Sequence, residues 1–279
     1  MARRWAIITA GSLGAILLFV IFVIIFTPVG AVQGLLDRAL GSAGYTFRAG
    51  EFGKALPLGI KARKVEIADE RGVLFKADEA VVRLRLLSLL TGKVSFGYRA
   101  GIGGGEVVGK FSPNRGGEMV FQITRLRLED IPFISTAAGT RARGELNAEG
   151  NFRGIGNKAV GEARMEIKRM ELAGVRIGEM PLPDATYDLA RGAMKVAGGR
   201  AVLESATLQG EGLYVRLKGD FPVTTPLGAA PLNLTLEMMP KPEFMERQKF
   251  VFLLLARYLV SPGNYRIPVN GTLAHPAIQ

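Results

Sequence analysis

Apolar and polar residues alternate along most of the chain from Tyr45 onward. Apolar residues recur at every second position over 80–86, 142–152, 213–221 and 232–238, and most of the residues between them are polar or charged. Successive side chains of a β-strand point to opposite faces of a sheet. Gly-, Pro- and Asn-rich turns separate the runs. The pattern therefore predicts a mainly β fold: a long, curved, largely antiparallel sheet with one apolar and one polar face.

Two of the predicted strands change phase partway. The apolar set moves from odd to even positions around 124–125 in the run 119–128, and again around 168–169 in the run 163–172. One extra residue at each point would keep the apolar side chains on one face, so the sequence predicts β-bulges that bend a long sheet. The alternative is that each run consists of two shorter strands.

Helical periodicity is confined to a few segments. Residues 32–44 predict a short amphipathic helix or linker, and Leu86–Leu90 and Asp130–Ala138 predict one turn each. Glu243–Val260 predicts one full helix, bounded by prolines on both sides. Its seven consecutive apolar residues, 250–256, are too few to cross a bilayer. This helix either caps the end of the β structure or rests on a membrane surface.

An uncharged, apolar run from Trp5 to Val29 follows Arg3 and Arg4 at the N-terminus. A helix of that length spans about 37 Å, more than the ~30 Å hydrocarbon core of a bilayer. By the positive-inside rule, the two arginines keep the N-terminus cytoplasmic and direct the rest of the chain across the membrane. Residues 1–31 are therefore predicted to be a cytoplasmic stub and an uncleaved transmembrane signal anchor. Small residues at the end of the run leave cleavage as the alternative.

The apolar face of the predicted sheet needs a cover, and the predicted helices are few. The sheet can fold onto itself as a sandwich or barrel, or it can stay open as a groove occupied by an apolar ligand such as acyl chains. For the middle of the chain we expect a sheet that closes around a filled core. The residues assigned to this face, as core or as groove lining, are Val82, Leu84, Leu86, Phe121, Ile123, Leu234 and Leu236.

Residues that carry chemistry are scarce. The chain has no Cys, and His275 is its single histidine, so neither a disulfide, a thiolate nor a two-His metal site is available. Gly104–Lys110 has the spacing of a phosphate-binding loop, but Phe111 stands where Ser or Thr would bind Mg²⁺. The sequence therefore predicts a non-enzymatic protein without catalytic, cofactor or metal-binding residues.

The net charge of +11 narrows the range of partners. The basic residues are spread along the chain rather than clustered, which on a membrane-tethered domain favours anionic lipid headgroups or acidic protein surfaces. Nucleic acid is not expected as a partner, because the predicted anchor points the domain away from the cytoplasm. The predicted partners are the inner membrane, other proteins and phospholipid.

Several segments resemble a known family. Tyr45–Phe52, Pro57–Ile67, Ala77–Leu84 and Leu86–Lys93 follow one another as in the N-terminal unit of AsmA-like periplasmic proteins, and Tyr265–Pro276 is similar to the closing strand of that group. Within the group, the whole chain most resembles the type II secretion system protein N family, which has one anchor, one β domain and a late helix.

The resemblance implies a single-pass inner-membrane protein with a cytoplasmic N-terminus and most of its chain in the periplasm. After the anchor and the linker, residues 45–279 are expected to form the periplasmic β-domain, which includes the helix 243–260. The implied function is a non-enzymatic accessory component of the type II protein secretion system, contacting other secretion subunits. AsmA-like relatives imply the alternative of a lipid-binding or lipid-transfer protein. A subunit needs a filled core, whereas a lipid carrier needs an apolar face that a lipid can occupy.

Overall fold

The computed structural model describes residues 29–42, 44–113, 117–154, 156–224 and 227–278. Arg3, Arg4 and nearly all of the predicted anchor lie outside these residues. Within the described part of the chain, no helix combines the length and the apolar character that crossing a membrane requires.

The described elements are mostly strands. Those of the N-terminal half are α1 (Val29–Gly41), β1 (Thr46–Ala55), β2 (Gly59–Asp69), β3 (Gly72–Leu84), α2 (Leu86–Leu90), β4 (Phe96–Ile102), β5 (Gly105–Ser112), β6 (Glu118–Arg127), α3 (Pro132–Ala138) and β7 (Arg141–Arg153). Those of the C-terminal half are β8 (Val160–Ala173), β9 (Arg176–Ile177), β10 (Met180–Pro181), β11 (Ala185–Ala197), β12 (Arg200–Gln209), β13 (Leu213–Pro222), β14 (Asn233–Pro240), α4 (Pro242–Arg247), α5 (Lys249–Leu254), β15 (Leu259–Ser261), β16 (Asn264–Gly271) and β17 (Pro276–Ile278). Single 3₁₀ turns occur at Leu128–Asp130, Gly156–Lys158, Leu227–Ala229 and Ala256–Tyr258.

One antiparallel sheet contains fifteen of these strands, in the order β1-β2-β3-β4-β5-β6-β7-β8-β11-β12-β13-β14-β16-β15, with β17 beside β16. The strands β9 and β10 form a separate small hairpin. The prediction of a mainly β fold built on a long antiparallel sheet is confirmed. The expected closure of the sheet is wrong, because β1 lies at one edge and the last strands pair among themselves instead of with β1.

The phase change in β6 is a β-bulge, as predicted. The register passes from Ile123 opposite Ala148 to Leu126 opposite Leu146, so two residues of β6 face one residue of β7. Arg125 lies at this point with a left-handed φ of 51°, and its backbone N–H donates a hydrogen bond to Asn147 Oδ1 at 3.0 Å. The bulge therefore turns the odd-numbered apolar set into an even-numbered one on the same face.

The same device recurs in β8. The pairing with β7 shifts between Arg143 and Glu145, and Arg169 has φ 50°. The strand β8 nevertheless runs unbroken for 14 residues. The alternative of two shorter strands is therefore wrong, and the prediction of a bulge within one long strand is confirmed.

The helical predictions near the C-terminus need correction. Glu243–Val260 is not one helix: α4 ends before Gln248, α5 ends at Leu254, and a 3₁₀ turn leads into β15. Gln248 Nε2 donates a hydrogen bond to the Asp184 carbonyl at 2.6 Å, which ties the break to the start of β11. The chain must also become extended after Tyr258, because β15 pairs with β16.

Leu86 does not belong to a strand. The strand β3 ends at Leu84, and Leu86 is the first residue of α2, so its assignment to the apolar face of the sheet is wrong. The one-turn helix predicted over Leu86–Leu90 is present. The predicted linker helix is also present, as α1, and its described part begins at Val29 rather than at residue 32.

Buried side chains form a large C-terminal cluster, a large N-terminal cluster and two smaller clusters, one around Leu128, Ile167 and Ala190 and one around Ala159, Val196 and Ala201. The C-terminal cluster contains residues from β11, β13, β14 and β16 under α4, α5 and the 3₁₀ turn after them, and within it Leu255 and Ile267 are fully buried. The N-terminal cluster is centred on Ala62, Val65, Ala77, Ile102 and Leu126. Ile131 packs against it from the segment that follows β6, and Thr136 in α3 donates a hydrogen bond to the Val73 carbonyl at 2.8 Å.

The bulge in β6 makes a prediction about Arg125. A left-handed conformation costs a non-glycine residue about 1–2 kcal/mol and costs glycine almost nothing. Arg125→Gly should therefore leave the free energy of unfolding within about 0.5 kcal/mol of the parent value or raise it. Gln122→Gly, at an exposed extended position of the same strand, should lower it by about 0.5–1 kcal/mol. Denaturant unfolding of both variants would check this, and equal losses would contradict the bulge.

Candidate functional site

The strand registers place apolar residues in unbroken rows across the sheet. Each member of a row lies directly opposite the next, on the same face. The first row crosses twelve strands and consists of Ile60, Val82, Tyr98, Gly109, Phe121, Gly150, Ala163, Met194, Leu203, Gly219, Leu234 and Val269.

Two parallel rows flank the first. The second row consists of Ala62, Ala80, Ala100, Val107, Ile123, Ala148, Met165, Gly192, Ala206, Leu217, Leu236 and Ile267. The third row consists of Leu84, Phe96, Phe111, Met119, Phe152, Gly161, Val196, Ala201 and Phe221. No member of any row carries a charge. We call the three rows together the apolar face.

Six of the seven residues assigned from the sequence lie on this face. Val82, Phe121 and Leu234 belong to the first row, Ile123 and Leu236 to the second, and Leu84 to the third. They come from β3, β6 and β14, so the structure places them on one continuous surface and does not gather them into a pocket. Leu86, in α2, lies outside the three rows.

The rows are buried at their ends and exposed in their middle. At the ends, Ile267 is 0% exposed and Ala62 is 7% exposed. In the middle, Phe111, Met119 and Met165 are 42%, 39% and 43% exposed. Soluble monomers rarely leave a large contiguous apolar patch in water, and such patches mark binding sites. The middle of the apolar face, from β3 to β8, is therefore the candidate functional site.

Covers lie toward the two ends of the sheet and, in its middle, over one end of the strands, where Leu128 and Ile134 pack with Ile167 of β8. Among the described helices, α1 has its main contacts with β1, and α3 has its main contacts with β3 and β7. The contact of α3 with β3 is at Val73, near the start of that strand and far from Val82. The helices α4 and α5 lie over the C-terminal cluster. Their positions explain why Met119 and Phe111 stay exposed.

Glycines make the middle of this face smooth. A Cβ on Gly150 would come within 2.6 Å of the Phe121 ring, and a Cβ on Gly192 would come within 2.8 Å of the Met165 side chain. These large side chains therefore lie along the sheet, over the glycine of the neighbouring strand, instead of standing away from it. The rings of Phe121 and Phe152 are parallel within 12°, with centroids 6.3 Å apart.

Tyr98 follows the same arrangement. Its ring lies over Gly109, and its hydroxyl donates a hydrogen bond to the Val120 carbonyl at 3.3 Å. The polar end of this side chain is thus directed to the backbone of the sheet. A ligand on the apolar face would meet the ring and not an unpaired hydroxyl group.

The opposite face carries charged side chains that form ion pairs with one another. Arg191 Nε lies 3.1 Å from Glu166 Oε2, and Glu118 lies within 4 Å of both Lys110 and Arg153. Two cavities of about 500 and 730 Å³ open on this face and are lined by such residues. Ion pairs that are exposed to solvent contribute little stability, so their main effect is to keep this face hydrated.

Shifted pKa values occur both on the apolar face and in the C-terminal part of the sheet. Burial raises the pKa of Tyr98, which lies in the first row on β4. Burial in the C-terminal cluster raises the pKa of Tyr187 to about 12. A hydrogen bond from Lys218 Nζ, 2.8 Å away, lowers the pKa of Glu237, and Arg266 lies 3.5 Å from the same carboxylate. These groups join β13, β14 and β16. Among the described residues, no group of three or more His, Asp or Glu side chains is placed to hold a metal ion.

Sequence reasoning missed the role of the strand glycines. Gly150 and Gly192 occupy apolar positions of the alternating pattern, where a glycine is normally unfavourable in a strand. Their spacing is the signal: each falls in register with a large apolar residue of a neighbouring strand. The register, however, becomes known only from the structure.

The contact between Gly150 and Phe121 makes a prediction. Gly150→Ala should lower the free energy of unfolding by about 1–3 kcal/mol, because the new methyl group displaces the ring. Gly97→Ala is the matched control: its Cβ would meet only one backbone oxygen at 3.9 Å, so stability should be unchanged or slightly raised.

A double variant tests the cause. The double variant Gly150→Ala/Phe121→Leu should lose less free energy of unfolding than the two single variants lose together. The smaller leucine side chain leaves room for the new methyl group. Additive costs would show that the loss does not come from this contact.

No protein-family model, curated protein or solved structure matches this chain. The resemblance to AsmA-like proteins and to type II secretion system protein N therefore rests on the sequence segments alone.

Proposed function

We propose that this protein binds the acyl chains of membrane lipids on the exposed middle of its apolar face. The observation that carries the proposal is the set of unbroken apolar rows, of which Val82, Phe111, Met119 and Met165 stay exposed between β3 and β8. The smooth surface of flattened side chains suits flexible chains without fixed shape. No polar group of the rows is directed toward the ligand, which favours the hydrocarbon part of a lipid over a polar molecule.

The dimensions of the site fit such a ligand. Six neighbouring strands, β3 to β8, are separated by five spacings of about 4.8 Å, which gives a path of roughly 24 Å across the sheet. One leaflet of a bilayer has a hydrocarbon thickness of about 15 Å, half of the ~30 Å core. An extended acyl chain of a phospholipid can therefore lie across the exposed rows in full.

The energetics favour exchange with a membrane. Removing an acyl chain from water gains about 0.8 kcal/mol per buried CH₂ group, both in a bilayer and on an apolar protein face. An acyl chain that moves from the bilayer to the protein exchanges one apolar surrounding for another. The free-energy difference between the bilayer-bound and the protein-bound lipid is therefore small. A site of this kind accepts and releases lipid readily, as lipid transfer requires.

The exposed face bears on the two functions implied by the resemblance. An accessory subunit of a secretion system needs a filled core in this region, whereas a lipid carrier needs an unfilled apolar face. The open sheet supports the carrier. The secretion role, the periplasmic location and the N-terminal anchor stay predictions, and an anchor of that kind would hold the face close to the lipid source.

Photo-cross-linking in cells tests the proposal. A benzophenone amino acid at Phe121, on the apolar face, should form adducts with phospholipid that mass spectrometry of the purified full chain detects. The same group at Gln122, the next residue of β6 on the opposite face, is the matched control and should give few or no lipid adducts. The two positions share the strand, the depth in the sheet and the distance from the N-terminus.

Two outcomes would contradict lipid binding. Equal lipid adducts at Phe121 and Gln122 would show only general proximity to the membrane. Protein adducts at Phe121, without lipid, would show that a polypeptide covers the face, and would favour the accessory-subunit hypothesis.

A further inference from the structure

A second exposed apolar surface lies at the C-terminal end of the sheet. It is formed by one side of α5 and by the start of β15, and we call it the C-terminal tip. Its members and their exposed fractions are Phe250 75%, Leu253 66%, Leu254 42%, Leu259 47% and Val260 59%. Five large apolar residues within eleven positions are thus in contact with water.

Buried residues of the C-terminal cluster lie behind the tip. On the other side of α5, Phe252 is 5% exposed and its ring lies 5.3 Å from that of Tyr265, centroid to centroid. The ring of Phe244 lies 6.0 Å from Phe252, and Leu255 is fully buried. Phe244, Phe252 and Leu255 are therefore apolar residues that α4, α5 and the segment after α5 contribute to the C-terminal cluster. Phe250 and Leu253 are additional to it and do not complete the packing of the described core.

Three basic residues lie close to the tip in the sequence. Arg247 and Lys249 precede the exposed residues and Arg257 lies between them, while no Asp or Glu occurs anywhere from 247 to 279. The guanidinium of Arg257 lies 4.7 Å from the centre of the Tyr258 ring, beside the apolar surface. An apolar surface with a basic border fits the interface of an anionic bilayer, where apolar side chains enter the acyl boundary and cations meet phosphate groups.

We propose that the C-terminal tip docks onto anionic phospholipid bilayers, with Phe250 and Leu253 inserted at the interface. A second copy of this chain fits the surface less well, because two tips would bring Arg247, Lys249 and Arg257 against the same basic residues. The proposal concerns residues outside the apolar face and does not depend on lipid binding there. Docking at the tip adds a contact with the membrane at the end of the sheet opposite to α1 and β1.

Single-cysteine labelling of the full chain tests this docking, and the absence of native cysteine makes the labelling specific. Leu253→Cys would carry an environment-sensitive fluorophore, in protein reconstituted into vesicles of phosphatidylglycerol and phosphatidylethanolamine. Leu87→Cys is the matched control, because Leu87 is an equally exposed leucine in another short helix, at 79%. Lipids that carry a doxyl quencher in the acyl chain should quench the label at 253 several-fold more strongly than the label at 87.

Charge variants test the electrostatic part. In the labelled protein, Lys249→Glu should reduce quenching at 253, and Lys158→Glu, at an exposed lysine distant in sequence, should leave it unchanged. Vesicles of phosphatidylcholine alone should quench the label at 253 less than the anionic vesicles do. Circular dichroism would verify that each variant is folded.

Three results would overturn the proposal. Equal quenching at 253 and 87 would show that the tip has no preference for the membrane. Quenching at 253 that is the same in anionic and neutral vesicles would exclude recognition of anionic lipid. The third result is a blue shift of the fluorophore emission that grows with the number of protein molecules per vesicle and occurs without quenching by the doxyl lipid. It would show that a second copy of the chain covers the tip.

Discussion

A sheet with one apolar face must either cover that face or use it, and this requirement shapes the whole molecule. Cover is supplied at the C-terminal end by α4 and α5, and at the N-terminal end by the segment around Ile131 and by α3. Between these ends the rows continue without a break, and part of them stays exposed. The fold is therefore stabilised by these two large clusters and by two smaller ones, around Ile167 and around Ala201, while the exposed stretch of the rows between β3 and β8 relies mainly on strand pairing and on in-plane contacts between neighbouring side chains. The same stretch is where a ligand can be held.

Continuity of the rows depends on small local features. If a strand shifts by one residue, all its side chains change faces, so a strand of β8's length with a phase change would place half of its apolar residues in water. The bulges at Arg125 and Arg169 prevent this by taking up one residue in a left-handed conformation. Glycines such as Gly150 then allow the large side chains to lie flat, so that Phe121 is partly shielded from water even though no second layer covers it.

Much of this arrangement is predictable from the sequence. The rest is unpredictable, and the reasons are physical. Alternation around Phe121 and Leu234 identifies their face, and the phase change near Arg125 identifies the bulge, because both signals are local. Closure of the sheet is a different matter: an open sheet and a closed one have the same alternating pattern, and pairing of the edge strands decides between them. The prediction of one helix over Glu243–Val260 is wrong because Gln248 and β15 contact other strands. Local periodicity carries no information about such contacts.

The order of the strands has a consequence for how the length of the molecule can change. From β2 to β7, every strand pairs with the strands immediately before and after it in the chain, so the strand pairings there are local in sequence. A protein of this kind resembles a stack of repeating units in which each unit depends only on its two neighbours. Duplication or loss of one hairpin would lengthen or shorten the sheet by two strand widths, about 10 Å, and would keep the antiparallel alternation of the strands on either side. The reach of the protein is thus a quantity that evolution can adjust in steps, without redesign of the fold.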